Sequence, residues 1–351
     1  MMAADTGTPD TGREHNGTAT GSVAAGGGVS PGAYGALSRL ARQDEVLDAL
    51  RGVLDTDDLV YRPEDTAAYE CDGLTAYRRL PLLVALPRDA QSVGAVLRTC
   101  HRLGVPVVAR GAGTGLSGGA LPHADGVVLS LARLNRILEV DALARTAVVE
   151  CGVRNLAISE AVADLGLYYA PDPSSQIACT IGGNIAENSG GVHCLKYGLT
   201  LHNVLRLEGF LADGEPVVIG GLAPDEAGLD LLPLVVGSEG MLAVVTRITV
   251  RLTQRPRLAR CIMASFADIE AAGEAVAGII AAGIIPAGLE LMDRPMTAAV
   301  EDFVHAGYDL QAAAILLCES DGTEAEVAEE IARMEAVLRR HGATGIEVSR
   351  D

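Results

Sequence analysis

Residues 110–131, RGAGTGLSGGALPHADGVVLSL, place Gly113, Gly115 and Gly118 in the GxGxxG spacing of nicotinamide dinucleotide sites. Such a fingerprint runs from its third glycine directly into a helix, whose N-terminus holds the pyrophosphate. Here the loop is followed by Pro122, a turn over Ala124–Gly126 and a β-rich run, Val127–Leu131. The order is strand, glycine loop, strand. Glu139 stands near the distance of the ribose-binding acid, but no second βαβ unit precedes it. Closely spaced glycines instead let successive backbone N–H groups face one concavity, a nest suited to a diphosphate.

The flanks place this loop in a sheet. LPLLVALP (80–87) reads as a buried strand, and 88–104 as a helix capped by Asp89, stopped by Gly104 and apolar at Val93, Val96, Leu97, Cys100 and Leu103. VPVVAR (105–110) is the next strand, which predicts a right-handed crossover between parallel strands. The glycine loop then opens at a strand C-terminus, where open α/β sheets bind ligands.

Downstream, 137–152 reads as two strands around a short turn and 154–166 as a helix closed by Gly166. Tyr168–Gly198 is dominated by small and polar residues and reads as a long ordered loop that binds something. A hairpin turning at Asp213–Gly214 follows, then a buried segment, a GSEG loop and a strand reaching Leu252. After Pro256 strands and helices alternate regularly, marking a second domain. The expected divisions are a disordered tail at 1–35, a helical lead-in at 36–76, a ligand-binding module at 77–256 and an α+β domain at 257–351.

Composition narrows the function. The chain has 351 residues, 49% of them apolar, and a formal net charge of -19, which repels phosphate backbones and anionic membranes. Nucleic acid is not expected as a partner, and no stretch reaches the roughly 20 apolar residues of a membrane span. Seven cysteines form no CxxC pair, and seven histidines form no HxH or HxxxH pair, so no metal site or cluster is expected within the chain.

Three stretches in order, 86–120, 171–198 and the GSEGMLAVVTRITV of 237–250, resemble the FAD-linked oxidases of the vanillyl-alcohol oxidase type, in the glycolate oxidase branch related to D-lactate and D-2-hydroxyglutarate dehydrogenases. The resemblance implies an α+β fold: a two-subdomain FAD-binding module of the p-cresol methylhydroxylase type followed by an incomplete ferredoxin-like cap. It implies that Gly111, Ala112, Gly113, Thr114, Gly115 and Leu116 hold the FAD diphosphate. Pro171, Ser175, Thr180, Ile181, Gly182, Gly183, Asn184, Ala186, Asn188 and Gly190 would serve the flavin and ribityl side, and Glu239, Gly240 and Val245 the adenosine side. Covalent members carry a histidine about where Thr114 stands, so FAD is expected to be noncovalent. Ala243 departs from the family's usual glycine.

The resemblance further implies oxidation of a small 2-hydroxy acid, glycolate or D-lactate, by hydride transfer to flavin N5. It implies iron–sulfur and second flavin-domain partner subunits, and a cytoplasmic or peripheral inner-membrane location. The family's HxGDGN and GEHG motifs do not occur here, and no catalytic residue is assigned. His193 in the flavin loop is expected to pack rather than act as a base, and Lys196 and Arg110 to pair structurally. The chain is read as shortened after TGIEVSR, with an uncovered sheet edge inviting self-association. The alternative is a flavin-holding scaffold subunit without substrate chemistry.

Overall fold

The computed structural model describes residues 31–223 and 228–349, with the side chains of 31–37 excepted. The expected disordered tail thus lies outside these residues up to position 30, while α1 (Pro31–Leu50) begins before the expected boundary at 36.

The lead-in is not a separate element. Val46, Leu47 and Leu50 of α1 and Leu54 and Leu59 beyond it are buried in the core shared by the first two sheets. Spacing of three and four residues puts the α1 positions on one helix face. The short strand β1 (Leu59–Val60) pairs antiparallel with β2 (Leu83–Ala85), so the first sheet begins inside the lead-in. Buried Asp58 fixes the junction: it accepts from Arg88 at 2.8 Å and pairs with Arg133. The Arg88 guanidinium, followed by that of Arg133, holds its carboxyl below the usual range against the opposing effect of burial.

After a one-turn helix, α2 (Pro63–Thr66), and β2 comes α3 (Ala90–Leu103). Asp89 caps α3 by accepting from the Ser92 N–H at 2.8 Å, and Gly104 ends it at φ 62°. β3 (Val107–Arg110) and β4 (Val127–Ser130) complete a sheet of order β1-β2-β4-β3, with β4 parallel to both β2 and β3. Val127, Val128, Leu129 and Ser130 are all buried, as a central parallel strand requires. β3 is left at the edge.

The second sheet is antiparallel, of order β5-β6-β10-β8-β9, built from β5 (Ile137–Asp141), β6 (Thr146–Glu150), β8 (Val204–Phe210), β9 (Pro216–Gly220) and β10 (Val244–Arg251). Between β6 and β8 run α4 (Asn155–Val162), β7 (Leu167–Tyr168), α5 (Ile181–Glu187) and α6 (Cys194–Tyr197). The stretch read as one long loop therefore contains two short helices. Between β9 and β10 lies α7 (Leu232–Val235), while β11 (Thr253–Gln254) pairs with β7. Leu83, Leu129, Ile158, Ile185 and Ile248 belong to one buried cluster, so both sheets share a core.

The cap has its own core. β12 (Leu258–Phe266), β13 (Gly288–Asp293), β14 (Ala314–Gly322) and β15 (Gly345–Val348) form an antiparallel sheet of order β13-β14-β12-β15. With α8 (Ile269–Ala281) and α10 (Glu324–Arg340) this is the ferredoxin-like arrangement, carrying the additional helix α9 (Arg294–Val304) between β13 and β14. Ile262, Ala264 and Phe266 of β12 and Ala314, Leu316 and Cys318 of β14 pack with the helices. Because successive strand side chains alternate faces, Glu319 and Asp321 point the other way, toward His193 and Lys196 of the 168–198 stretch. The chain is thus α+β as expected. β15 stands at one edge of the cap sheet among the described residues.

Candidate cofactor site

The glycine loop leaves β3 and returns directly to β4, its parallel neighbour, with no helix between them. Gly113 and Gly118 adopt φ 71° and 79°, conformations that L side chains rarely tolerate. From 111 to 119 no backbone N–H donates to another described residue. The next one, at Ala120, donates to Asp72 Oδ2 at 3.4 Å. A run of unspent donors in a positive-φ loop is an anion nest.

The helix absent after this loop arrives from elsewhere. Thr180 caps α5, its Oγ1 accepting from the Gly183 N–H at 3.4 Å. Ile181 and Ile185, one turn apart, anchor the helix in the core. Two glycines in the first turn hide it from propensity, and packing explains the first: a Cβ on Gly182 would come within 2.8 Å of the Cys151 Cβ. A Cβ on Gly111 would collide with Thr180 Oγ1, so the loop and the helix cap touch through a missing side chain. The GSEG turn closes the third side, Gly237 and Glu239 each donating at 2.8 Å to Ile185 and Ala186 carbonyls of α5. Glu239 sits at φ 53°.

These walls enclose a cavity of about 1060 Å³, mouth included. Of the residues expected to contact the cofactor, Gly111, Ala112, Gly113, Thr114, Gly115, Ser175, Thr180, Gly182, Gly183, Asn184, Ala186, Glu239, Gly240 and Val245 line it. Gly119 and Ala243 are shared with a second, solvent-open space of about 1130 Å³ along the edge strand β3. The Ala243 methyl is part of both walls.

The other expected contacts lie outside the lining. The Leu116 side chain is largely exposed, and Ile181 is buried in the core. The Pro171 carbonyl accepts from buried Asn155 at 2.9 Å. Asn188 ends α5 in the left-handed region and receives the Leu201 N–H at 3.0 Å, while Gly190 packs on Leu199 and Cys194. Conversely, Asp72, Cys151, Cys179, Glu187, Ser189 and Ser238 line the cavity and were not anticipated. Asp72 comes from the lead-in, where only its Asp–Gly turn signal was visible.

Two observations test the fit of a large, heteroatom-rich anion. One is the unspent loop amides. The other is Asn184, 1% exposed and lining the cavity, whose Nδ2 has no hydrogen-bond partner. An unpaired buried donor costs about 1–3 kcal/mol and is relieved by a ligand that accepts from it. Both fit a nucleotide cofactor. Among the described residues no group of three His, Cys, Asp or Glu side chains is placed to hold a metal.

The basic residues of the glycine and flavin loops are otherwise engaged. The Arg110 guanidinium donates to the Cys71 carbonyl at 2.7 Å and lies 5.7 Å from the Tyr69 ring centroid. It meets a carbonyl and an aromatic face, not the carboxylate expected for a structural pair. His193 contacts Asp172 Oδ2 at 2.6 Å through Nδ1 and Glu319 Oε2 at 3.3 Å through Nε2. The Asp172 bond, then that of Glu319, pushes its imidazole up to about 10. It is a charged bridge with both nitrogens engaged and accepts no proton at neutral pH. Lys196 Nζ meets Asp321 Oδ1 at 2.5 Å, and Tyr197 donates its hydroxyl to Asp321 Oδ2 at 2.6 Å.

The cavity suits a large nucleotide cofactor, and the comparisons say which family shares this sequence. A family model described as FAD binding domain matches residues 81–220, and one described as FAD linked oxidases, C-terminal domain, matches 255–351. The chain belongs to the FAD-linked oxidases, and its cofactor is FAD. It is 56% identical over 317 residues to the glycolate oxidase subunit GlcD of Escherichia coli K12, covering 90% of this chain and 63% of that protein. It is 42% identical over 282 residues to the Bacillus subtilis GlcD (80% and 60%) and 39% over 238 residues to an Archaeoglobus fulgidus D-lactate dehydrogenase (67% and 53%). The chain therefore spans less than two thirds of the length of these relatives. Among solved structures, p-cresol methylhydroxylase superposes with a TM-score of 0.74 at 17% identity (88% of this chain, 66% of that one). Alkyldihydroxyacetonephosphate synthase does so at 0.73 and 18% (87% and 60%). Both show the fold.

Proposed function

We propose that this chain holds FAD noncovalently and serves the oxidation of a small 2-hydroxy acid such as glycolate or D-lactate, as the flavin-bearing part of a multi-subunit oxidase. The single observation that carries the reading is the cavity itself: unspent amides at 111–119 facing the cap of α5, in a chain 56% identical to a glycolate oxidase subunit. When bound, FAD would supply the two-electron acceptor that oxidation of a 2-hydroxy acid requires.

The chain's own residues have separable tasks. The 111–115 amides and the Asn184 amide bind the anionic and polar parts of the cofactor. Glu239, Gly240 and the space along β3 receive the adenosine end. Thr114, in place of a histidine, leaves no imidazole in this loop for a covalent attachment. The division near 257 separates the proposed FAD-binding module from the cap, and the lead-in joins that module, contributing Asp72 to the cavity lining.

His193, Lys196 and Arg110 are each committed to other partners, so none of them serves as proton acceptor or as anchor for a substrate carboxylate. This favours the reading in which the chain seats the flavin and other groups position the hydroxy acid. Iron–sulfur and second flavin subunits are the proposed partners. Among the described residues no helix is long and apolar enough to cross a membrane.

Purified protein is expected to be yellow, with flavin released by acid. Colourless protein that takes up no FAD overturns the cofactor assignment. Anaerobic glycolate is expected to leave the flavin of this chain oxidised; rapid bleaching overturns the division of labour.

A further inference from the structure

The cavity presents an electrostatic conflict. Asp72, Glu187 and Glu239 line the same space as the glycine loop, and FAD brings a diphosphate that is itself anionic. Glu187 ends α5, its Oε1 lying 3.1 Å from where a Cβ on Gly115 would stand and 3.7 Å from that of Gly119. Glu239 Oε2 lies 3.0 Å from the same Gly119 position. Two carboxylates therefore rest on the loop whose amides are free. The cation in this lining, Arg110, packs its guanidinium against Gly113 while donating to the Cys71 carbonyl, and it pairs with none of the three carboxylates; Glu187 forms no ion pair among the described residues. The remaining titratable walls are the Cys151 thiol, pushed up to about 12 by burial, and that of Cys179, raised for the same reason, so both are neutral at physiological pH.

Glu187 is the member most exposed to this conflict. Both Asp72 oxygens are engaged, Oδ1 by the Leu74 N–H at 2.9 Å and Oδ2 by that of Ala120 at 3.4 Å. Desolvation, then the charge of Glu239, then that of Asp72, raises Glu187 above the usual carboxylate range. Water still reaches it through the cavity mouth, and a ligand filling the cavity removes that water. Added anionic charge and deeper burial both disfavour an ionised carboxylate.

We propose that Glu187 is a cofactor-binding residue that enters the complex as the neutral acid, donating its O–H to an anionic oxygen of FAD, so that loading the cofactor takes one proton from solution. The inference rests on the FAD reading above. The proton comes from solvent or buffer, and no bond other than the O–H forms.

The test is calorimetric titration of flavin-free protein with FAD in two buffers of different ionisation enthalpy, between about pH 6 and 8.5. Expected is uptake approaching one proton per FAD, with affinity falling by up to about tenfold per pH unit on the alkaline side. Glu187→Gln should bind FAD with a flat pH profile and no proton exchange. Glu239→Gln, which removes one repelling charge but keeps Glu187, should retain the slope and shift it toward lower pH. Identical heats in the two buffers, or an unchanged slope in Glu187→Gln, overturn the proposal while leaving the FAD assignment standing. No binding at any pH overturns the FAD assignment, and this inference with it.

Discussion

The cavity and the seam between the flavin loop and the cap solve opposite problems with opposite materials. Around the cavity, polarity comes mainly from the backbone: the 111–119 amides, a helix cap, and glycines at the points of closest approach. At the seam it comes from side chains, His193 between Asp172 and Glu319, and Lys196 with Tyr197 on Asp321. Tyr168 adds an edge-on ring contact to Tyr197 at 6.0 Å. A backbone nest is built by shape and fails when a side chain is added. A charge lattice is built by pairing and fails when a side chain is removed.

The sharpest break is therefore an insertion. Gly111→Val drives new atoms into Thr180 Oγ1, at an overpacking cost of about 1–3 kcal/mol concentrated in the cavity wall. FAD affinity, read by flavin fluorescence quenching, is expected to drop by about a hundredfold.

Lys196→Ala should act at the other region, leaving the 4%-exposed Asp321 side chain without its cation. Breaking a buried pair costs about 3–5 kcal/mol, and partial solvation of Lys196 brings the expectation to about 2–3 kcal/mol by denaturant unfolding. FAD affinity should stay within about threefold of the parent, because no cavity wall changes. A large loss of FAD binding would merge the two regions into one.

Asn184→Leu should reverse sign between states. It removes an unpaired buried donor, so flavin-free protein gains about 1 kcal/mol, while FAD affinity falls by about tenfold. Loss in both states would mean that the amide is structural.

The smallest effect is pH-dependent. His193 titrates at about 10 in the folded chain, above its unfolded value near 6.5. Its contribution is complete below about pH 6.5 and disappears as pH rises through about 10. His193→Gln should cost about 1 kcal/mol at pH 6, and its stability curve should converge on that of the parent near pH 10.

Local chemistry made α3 legible, since Asp89, Gly104 and the apolar stripe between them are signals within one helix. Pro122 likewise ruled out the nicotinamide site without any tertiary information. α5 was not legible, because Gly182 and Gly183 are poor helix formers and the helix exists through the burial of Ile181 and Ile185. Nor was the role of the lead-in, whose β1 pairs across more than twenty intervening residues with β2. Asp72 and Glu187 were missed for the same reason: their relation to Gly115 and Gly119 arises only when three distant segments converge. Leu116, Ile181, Asn188 and Gly190 adjoin lining residues in sequence and Pro171 stands four positions before Ser175, but which neighbours reach the cavity is decided by side-chain direction and by the turn each residue makes.

The free amides of 111–119 also make the loop its own reporter. In deuterium oxide they should exchange nearly as fast as those of an unstructured peptide while the cavity is open, although the flanking strands β3 and β4 protect theirs. Filling the cavity should slow that one peptide and few others. Occupancy could then be followed in complexes where colour, turnover and fluorescence all come from another flavin.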